Sequence, residues 1–134
     1  MSIRMELSRI LICEMHDLQI IELTELEGER TFPILIGLAE AEAIRRRFQG
    51  MEIKRPLTHE LLANVIEAFG GVLERVEISD LRDHTFFAEL HITARSGEAL
   101  VIDSRPSDAI ALCVEADVPI FVAEHVLEQA QNEP

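Results

Sequence analysis

The chain has no tryptophan and no tyrosine, and only six phenylalanines among 134 residues. Proteins that hold single strands of nucleic acid stack bases on exposed rings, so that mode of tight binding is excluded. Positive charge is also scarce, with 12 Lys and Arg against 25 Asp and Glu and a net charge of -13. A protein that coats nucleic acid gains its affinity by displacing counterions from phosphates, which requires the opposite balance. Cysteine is limited to Cys13 and Cys113, each inside an apolar run and neither in a CxxC pair. This rules out a disulfide framework and a zinc knuckle, and both residues read as buried free thiols. No apolar run approaches the roughly 20 residues of a membrane span, and the N-terminus lacks a basic-then-apolar leader, so the expectation is a cytoplasmic protein without a membrane partner. A phosphate-binding glycine loop, a GxSxG elbow and an HExxH pair are all missing from the sequence, which excludes the commonest catalytic signatures.

What is present is enough for one core. At 134 residues and 48% hydrophobic, the chain fits a single domain spanning 1–134, with its core at about 5–127 and a terminal acidic helix after 122. Its organising stretch is Asp103 to Val114, DSRPSDAIALCV, together with an echo at Gly37 to Phe48, GLAEAEAIRRRF. At an offset of 68, Gly37 meets Arg105, Glu40 meets Asp108 and Ile44 meets Leu112. Each copy follows an apolar run, 32–36 and 99–102, so each reads as a strand turning into a helix. An acid at about the third helical position complements the free N–H groups and the positive end of the dipole. Two readings follow: either the acids are ordinary caps, or they are a duplicated pair meeting at one place.

In chain order, 8–14 and 18–26 read as strands, and Glu27-Gly28-Glu29 turns the chain into a third at 31–36. Pro33 cannot donate to a ladder, so this strand belongs at an edge or carries a bulge. The helix from Leu38 carries Leu38, Ala41, Ile44 and Phe48 on one stripe, and Gly50 stops it. Thr58 N-caps a second helix whose buried face is Leu61, Leu62, Val65, Ile66 and Phe69, ended by Gly70-Gly71. Residues 72–79 and 85–95 read as two strands around a polar turn at 80–84, and the second alternates with a period of two, which predicts antiparallel pairing with one dry face. Strand 99–102, the second strand-turn-helix unit, a short strand at 119–122 and a helix at 123–131 complete an α+β plan with three to four helices and a mainly antiparallel sheet.

Of the 12 cationic residues, Arg45, Arg46, Arg47, Lys54 and Arg55 cluster, and neither Lys nor Arg follows Arg105. The cluster fits either a solvated helix face or a local phosphate-facing patch. His59, at the start of its helix, reads as solvent-accessible and able to exchange protons near neutrality.

The runs IGLAEAEAI at 36–44, RPLTHELL at 55–62, the double glycine that follows, and SRPSDAIAL at 104–112 resemble the bifunctional nuclease domain family, long grouped with bacterial domains of unknown function. The likeness covers roughly residues 5–127, with the runs in order and compatibly spaced. It implies an α/β roll, a homo-oligomer of two or three chains, and nuclease activity on DNA and RNA. The family pattern draws attention to Glu40, Thr58, His59, Arg105, Ser107 and Asp108.

On that basis Glu40 and Asp108, with Asp103, are candidate oxygen ligands for Mg²⁺ or Mn²⁺, and no organic cofactor is expected. His59 is the candidate proton-transfer group, while Arg105, Ser107, Arg45 and Arg46 are candidates to hold the substrate phosphate. Two other readings stay open: a regulatory module in which the same residues form an anion or partner site, and an assembly role centred on the acidic surface and terminal helix.

Overall fold

Strands with alternating apolar side chains bury one face only, and helices must cover it. The computed structural model, which describes residues 1–13, 15–114 and 116–132, shows this arrangement. The elements in order are β1 (Ser2–Leu11), β2 (Leu18–Glu25), β3 (Thr31–Gly37), α1 (Leu38–Phe48), α2 (Thr58–Ala68), β4 (Val72–Arg82), β5 (Thr85–Thr93), β6 (Ala99–Ser104), α3 (Pro106–Cys113), β7 (Ile120–Ala123) and α4 (Glu124–Asn132). The strands form one sheet in the order β3-β2-β1-β7-β4-β5-β6. All pairings are antiparallel except β4 with β7. The α+β expectation holds, with four helices among the described residues.

The repeat extends further than its sequence echo. Adding 68 carries β1, β2, β3 and α1 onto β4, β5, β6 and α3 to within a few residues. Each half is a three-stranded meander followed by a helix, and β7 lies between the halves. Pro33 sits on β3, which lies at the sheet edge, the first of the two placements its missing N–H allows. The sheet also curls: the Phe32 and Phe86 rings, on strands far apart in the sheet order, have centroids 5.5 Å apart. Inside the curl lie Met5, Ile21, Leu23, Phe32, Ile34, Val76, Ile78, Ala88 and Leu90. They pack with Ala41 and Ile44 of α1, nearly all of α3, and Val126 and Leu127 of α4.

Several expectations need correction. The first strand starts at Ser2 and ends at Leu11 rather than spanning 8–14; Glu14 lies outside the described residues. Asp83 and His84, both at positive φ, make a two-residue turn from Arg82 to Thr85, so β4 runs on past 79. Such a turn matches strand twist, and the longer loop read from polarity is not needed. Cys13 is exposed, because it follows the end of β1, whereas Cys113 is buried and burial pushes its thiol up to about 12. On α1, Phe48 is exposed and Arg47 is buried in its place. Its guanidinium donates to the Ala111 and Leu112 carbonyls at the end of α3 and pairs with Glu60 of α2. The arginine run is therefore not simply a solvated face. Leu57 rather than Thr58 is the N-cap of α2, and its backbone N–H donates to Glu60 at 3.0 Å.

The largest departure is α2 itself, which has no buried residue. Leu61, Leu62, Val65 and Phe69 are all exposed. Helical periodicity identifies an apolar stripe correctly but cannot say what lies opposite it.

Candidate active site

The N-terminal ends of three helices meet at one place. Gly37 is the N-cap of α1 and Arg105 that of α3, and Glu40 and Asp108 each occupy the third helical position, as the repeat requires. Pro106 opens α3, where its missing N–H costs nothing. At Gly37 an added Cβ would stand 2.9 Å from the Glu40 carboxylate oxygens, so glycine leaves that carboxylate room over its own helix start.

Arg105 joins the acids. Its Nε donates to Asp108 Oδ2 at 2.9 Å and its Nη2 to Oδ1 at 3.2 Å, while Nη1 lies 3.5 Å from Glu40 Oε1. On the other flank, His59 Nε2 lies 2.9 Å from Asp108 Oδ1. The order of contacts is therefore Glu40, Arg105, Asp108, His59. Burial acts to raise the Asp108 carboxyl, but the hydrogen bonds from Arg105 and His59 outweigh it and hold the group below its ordinary value. The same contacts hold the Arg105 guanidinium above its own, chiefly through its bonds to Asp108. His59 departs from expectation in exposure: its side chain is only 15% accessible, because the ring lies against Asp108 rather than in solvent.

A cavity of about 590 Å³ opens beside Arg105. Glu40, Arg105, Ser107, His84 and Thr85 supply its polar side chains, and Leu35, Ile36, Phe86 and Pro106 are among its apolar walls. His59 and Asp108 are not among its lining residues. His84 is a residue that sequence reasoning missed. It arrives from the β4–β5 turn through the curl of the sheet, and a turn histidine carries no local mark of such a position.

The remaining candidates are not gathered here. Asp103 pairs across the strand with Glu89, on the face of the sheet opposite Ala88 and Leu90, and borders a separate depression with Asp80, Arg82 and Phe87. The pleat puts it there: Ile102 and Ser104 point towards the helices, so Asp103 points away. Arg45 and Arg46 stand in the last turn of α1, at the far end of that helix from Glu40, and Arg45 is paired with Glu42 at 2.6 Å. A hard cation wants several oxygen ligands around it. The two carboxylates that do meet share a guanidinium, which takes the place a cation would need. Among the described residues no three His, Cys, Asp or Glu side chains are grouped to hold a metal ion. This donor set does not fit a preformed divalent site, and no step below passes through one.

Fold and site together define a duplicated α+β roll with an acid-guanidinium-acid-imidazole chain across converging helix starts. The chain belongs to the bifunctional nuclease domain family, whose model matches residues 21–134. It is 45% identical over 108 residues to an uncharacterised protein of Mycobacterium tuberculosis, a match covering 81% of this chain and 63% of the relative. It is 28% identical over 97 residues to bifunctional nuclease 2 of Oryza sativa subsp. japonica, covering 71% of this chain and 30% of that protein. With bifunctional nuclease 2 of Arabidopsis thaliana the identity is 24% over 96 residues, 70% of this chain and 29% of the relative. The chain thus spans less than two thirds of each of these relatives. Among the described residues, no helix is long and apolar enough to cross a membrane.

Proposed function

We propose that this protein hydrolyses phosphodiester bonds of DNA or RNA at the Arg105–Asp108–His59 cluster. The observation that carries the reading is the convergence of one guanidinium, one imidazole and three helix N-termini beside an open cavity. Helix N-termini and a guanidinium both favour a phosphate oxygen. The family relationship and the printed names of the plant relatives support the same chemistry.

Arg105, half in solvent, pairs with a non-bridging phosphate oxygen through N–H groups that its acids leave open. Glu40 holds the guanidinium from the cavity side, and Ser107 donates its hydroxyl to the same phosphate. Asp108 stays ionised and accepts Nε2–H of His59, which fixes the tautomer and leaves Nδ1 as the base. Nδ1 takes a proton from water, the water oxygen bonds to phosphorus, and the P–O ester bond breaks. The leaving oxygen takes a proton from solvent. Brief contact of this kind does not need the basic surface or the exposed rings that the chain lacks.

The test is cleavage of generic single- and double-stranded DNA and RNA, with and without a chelator. His59→Ala and Asp108→Asn should each lower the rate by about 10²–10⁴ with native circular dichroism retained. Undiminished cleavage by His59→Ala contradicts the assignment. Activity abolished by the chelator would contradict this metal-free route; Glu40 and Asp108 would then be the carboxylates to hold the cation, which would supply the charge that activates the water. A wild-type chain that cleaves nothing, yet binds phosphate through Arg105, supports the regulatory module. That alternative has its own observation: both oxygens of Asp108 are already engaged by partners within the protein.

A further inference from the structure

We propose that the cavity beside Arg105 holds one unpaired nucleobase, so that the site takes single-stranded rather than duplex nucleic acid. The inference rests on the phosphate reading of Arg105 and adds what the adjoining cavity recognises. A phosphate occupies only the polar rim at Arg105 and Ser107, yet the cavity is about 590 Å³ and most of its walls are apolar. That volume lies inside the range of roughly 300–1,000 Å³ for pockets that enclose a small ligand. In a nucleic acid, the flat group with apolar faces and a polar edge is the base.

The cavity offers a counterpart to that polar edge. Its wall includes the run of β3 from Pro33 to Gly37, a strand that pairs with β2 on one side and ends the sheet on the other. The Arg30 carbonyl, just before β3, accepts from the Glu25 N–H at 3.0 Å, and the register with β2 runs from Thr31 to Gly37 without a shift. Antiparallel bonds alternate, so Phe32, Ile34 and Ile36 bond to β2 while Thr31, Pro33, Leu35 and Gly37 turn their backbone groups outward. Gln131 of α4 donates to the Thr31 carbonyl, which agrees with this assignment, and Pro33 has no N–H to offer. Leu35 is left with a donor and an acceptor side by side, and among the described residues no bond from outside the sheet reaches either.

Every base carries a donor next to an acceptor on its Watson–Crick edge, the complement of such a strand edge. The Phe86 ring supplies the face. It lines the same cavity, half-buried, with the Phe32 ring behind it at 5.5 Å between centroids. A base stacked there with its edge on Leu35 stands beside the guanidinium that holds the phosphate. In a duplex that edge is already paired and both faces are already stacked, so only an unpaired base fits. A hydrocarbon chain would match the apolar walls but leave the Leu35 groups without partners. One sheltered ring serves one base, which agrees with a chain that lacks the exposed rings and positive charge for coating a strand.

The test is titration of the full chain with cytidine 5′-monophosphate, ribose 5-phosphate and hexyl phosphate, followed by NMR at Arg105 Nε and at the Leu35 and Phe86 amides. The nucleotide should bind more tightly than the sugar phosphate by roughly five- to 100-fold, and it alone should move the Leu35 amide downfield. Phe86→Leu should bring the nucleotide to the level of the sugar phosphate and leave the sugar phosphate unchanged. A single-stranded oligonucleotide with non-cleavable linkages should bind more tightly than its duplex by a similar factor. Equal affinity for nucleotide and sugar phosphate overturns the base subsite while the phosphate reading of Arg105 stands; no response at Arg105 to any of the three removes both. Hexyl phosphate bound as tightly as the nucleotide, or a duplex bound as tightly as the single strand, also overturns the proposal. If Phe86→Leu loses its native circular dichroism, the wild-type comparison of the three ligands decides alone.

Discussion

Two helices of this chain make opposite use of similar sequences. Helix α3, PSDAIALC, buries seven of its eight residues under the curled sheet, whereas α2, THELLANVIEA, buries none of its 11. Both start with polar residues and carry mostly aliphatic ones afterwards. The difference lies in connectivity: α3 follows a strand directly and is laid across the core by a tight turn, while α2 sits in the connection between the halves, outside the repeated meander-and-helix unit. Apolar content therefore marks the stripe, but only topology decides whether the chain covers it.

The contrast can be broken at α3 first. Ile110→Ala, at a fully buried site, should cost about 2–5 kcal/mol in urea unfolding. Leu61→Ala on α2, at a site more than half exposed, should cost under about 0.5 kcal/mol. Equal costs would mean that α2 is packed within the single chain.

Next in size is the tie between the two helices. Arg47→Met should cost about 3 kcal/mol, because the Ala111 and Leu112 carbonyls and the Glu60 carboxylate lose their donor together. Removing Arg46, its neighbour on the same run, should change stability by under about 0.5 kcal/mol.

A smaller effect is set by pH. Asp108, Glu60 and Glu25 are all held below their ordinary values in the folded chain. The unfolded chain therefore binds more protons in acid, so their contribution is complete above the unfolded values near 4 and is lost as pH falls through the lower folded ones. Asp108→Asn should flatten the fall in unfolding midpoint between neutral and acid pH, and an unchanged slope would remove Asp108 from that linkage. The smallest effect is chemical. In the native chain Cys13 should react promptly with a thiol reagent, and Cys113, buried in α3 with its thiol pushed up to about 12, only after unfolding.

How far the sequence could be read follows from the same contrast. Periodicity in 85–93, the edge position of Pro33 and the helix stops at Gly50 and Gly70, both at positive φ, are local properties and were legible. The echo between Gly37 and Arg105 indicated that Glu40 and Asp108 are equivalent, and the structure brings both onto one guanidinium. The side of the sheet on which Asp103 falls depends on strand register, which its neighbours in sequence do not reveal. His84 enters the cavity, and Arg47 the interior, only through long-range packing. The exposure of Leu61 and Phe69 could not be read at all, since an apolar stripe looks the same whether or not the chain covers it.

The central claim is that the helix starts at Glu40 and Asp108, with Arg105 between them, form a phosphodiester site. The direct measurement is amide and guanidinium NMR during titration with a short oligonucleotide carrying non-cleavable linkages. The account predicts the largest shifts at residues 38–40 and 105–108 and at Arg105 Nε, lost in Arg105→Ala. Shifts confined to Arg45 and Arg46 or to the Asp103 depression, or none at all at saturating ligand, would contradict it.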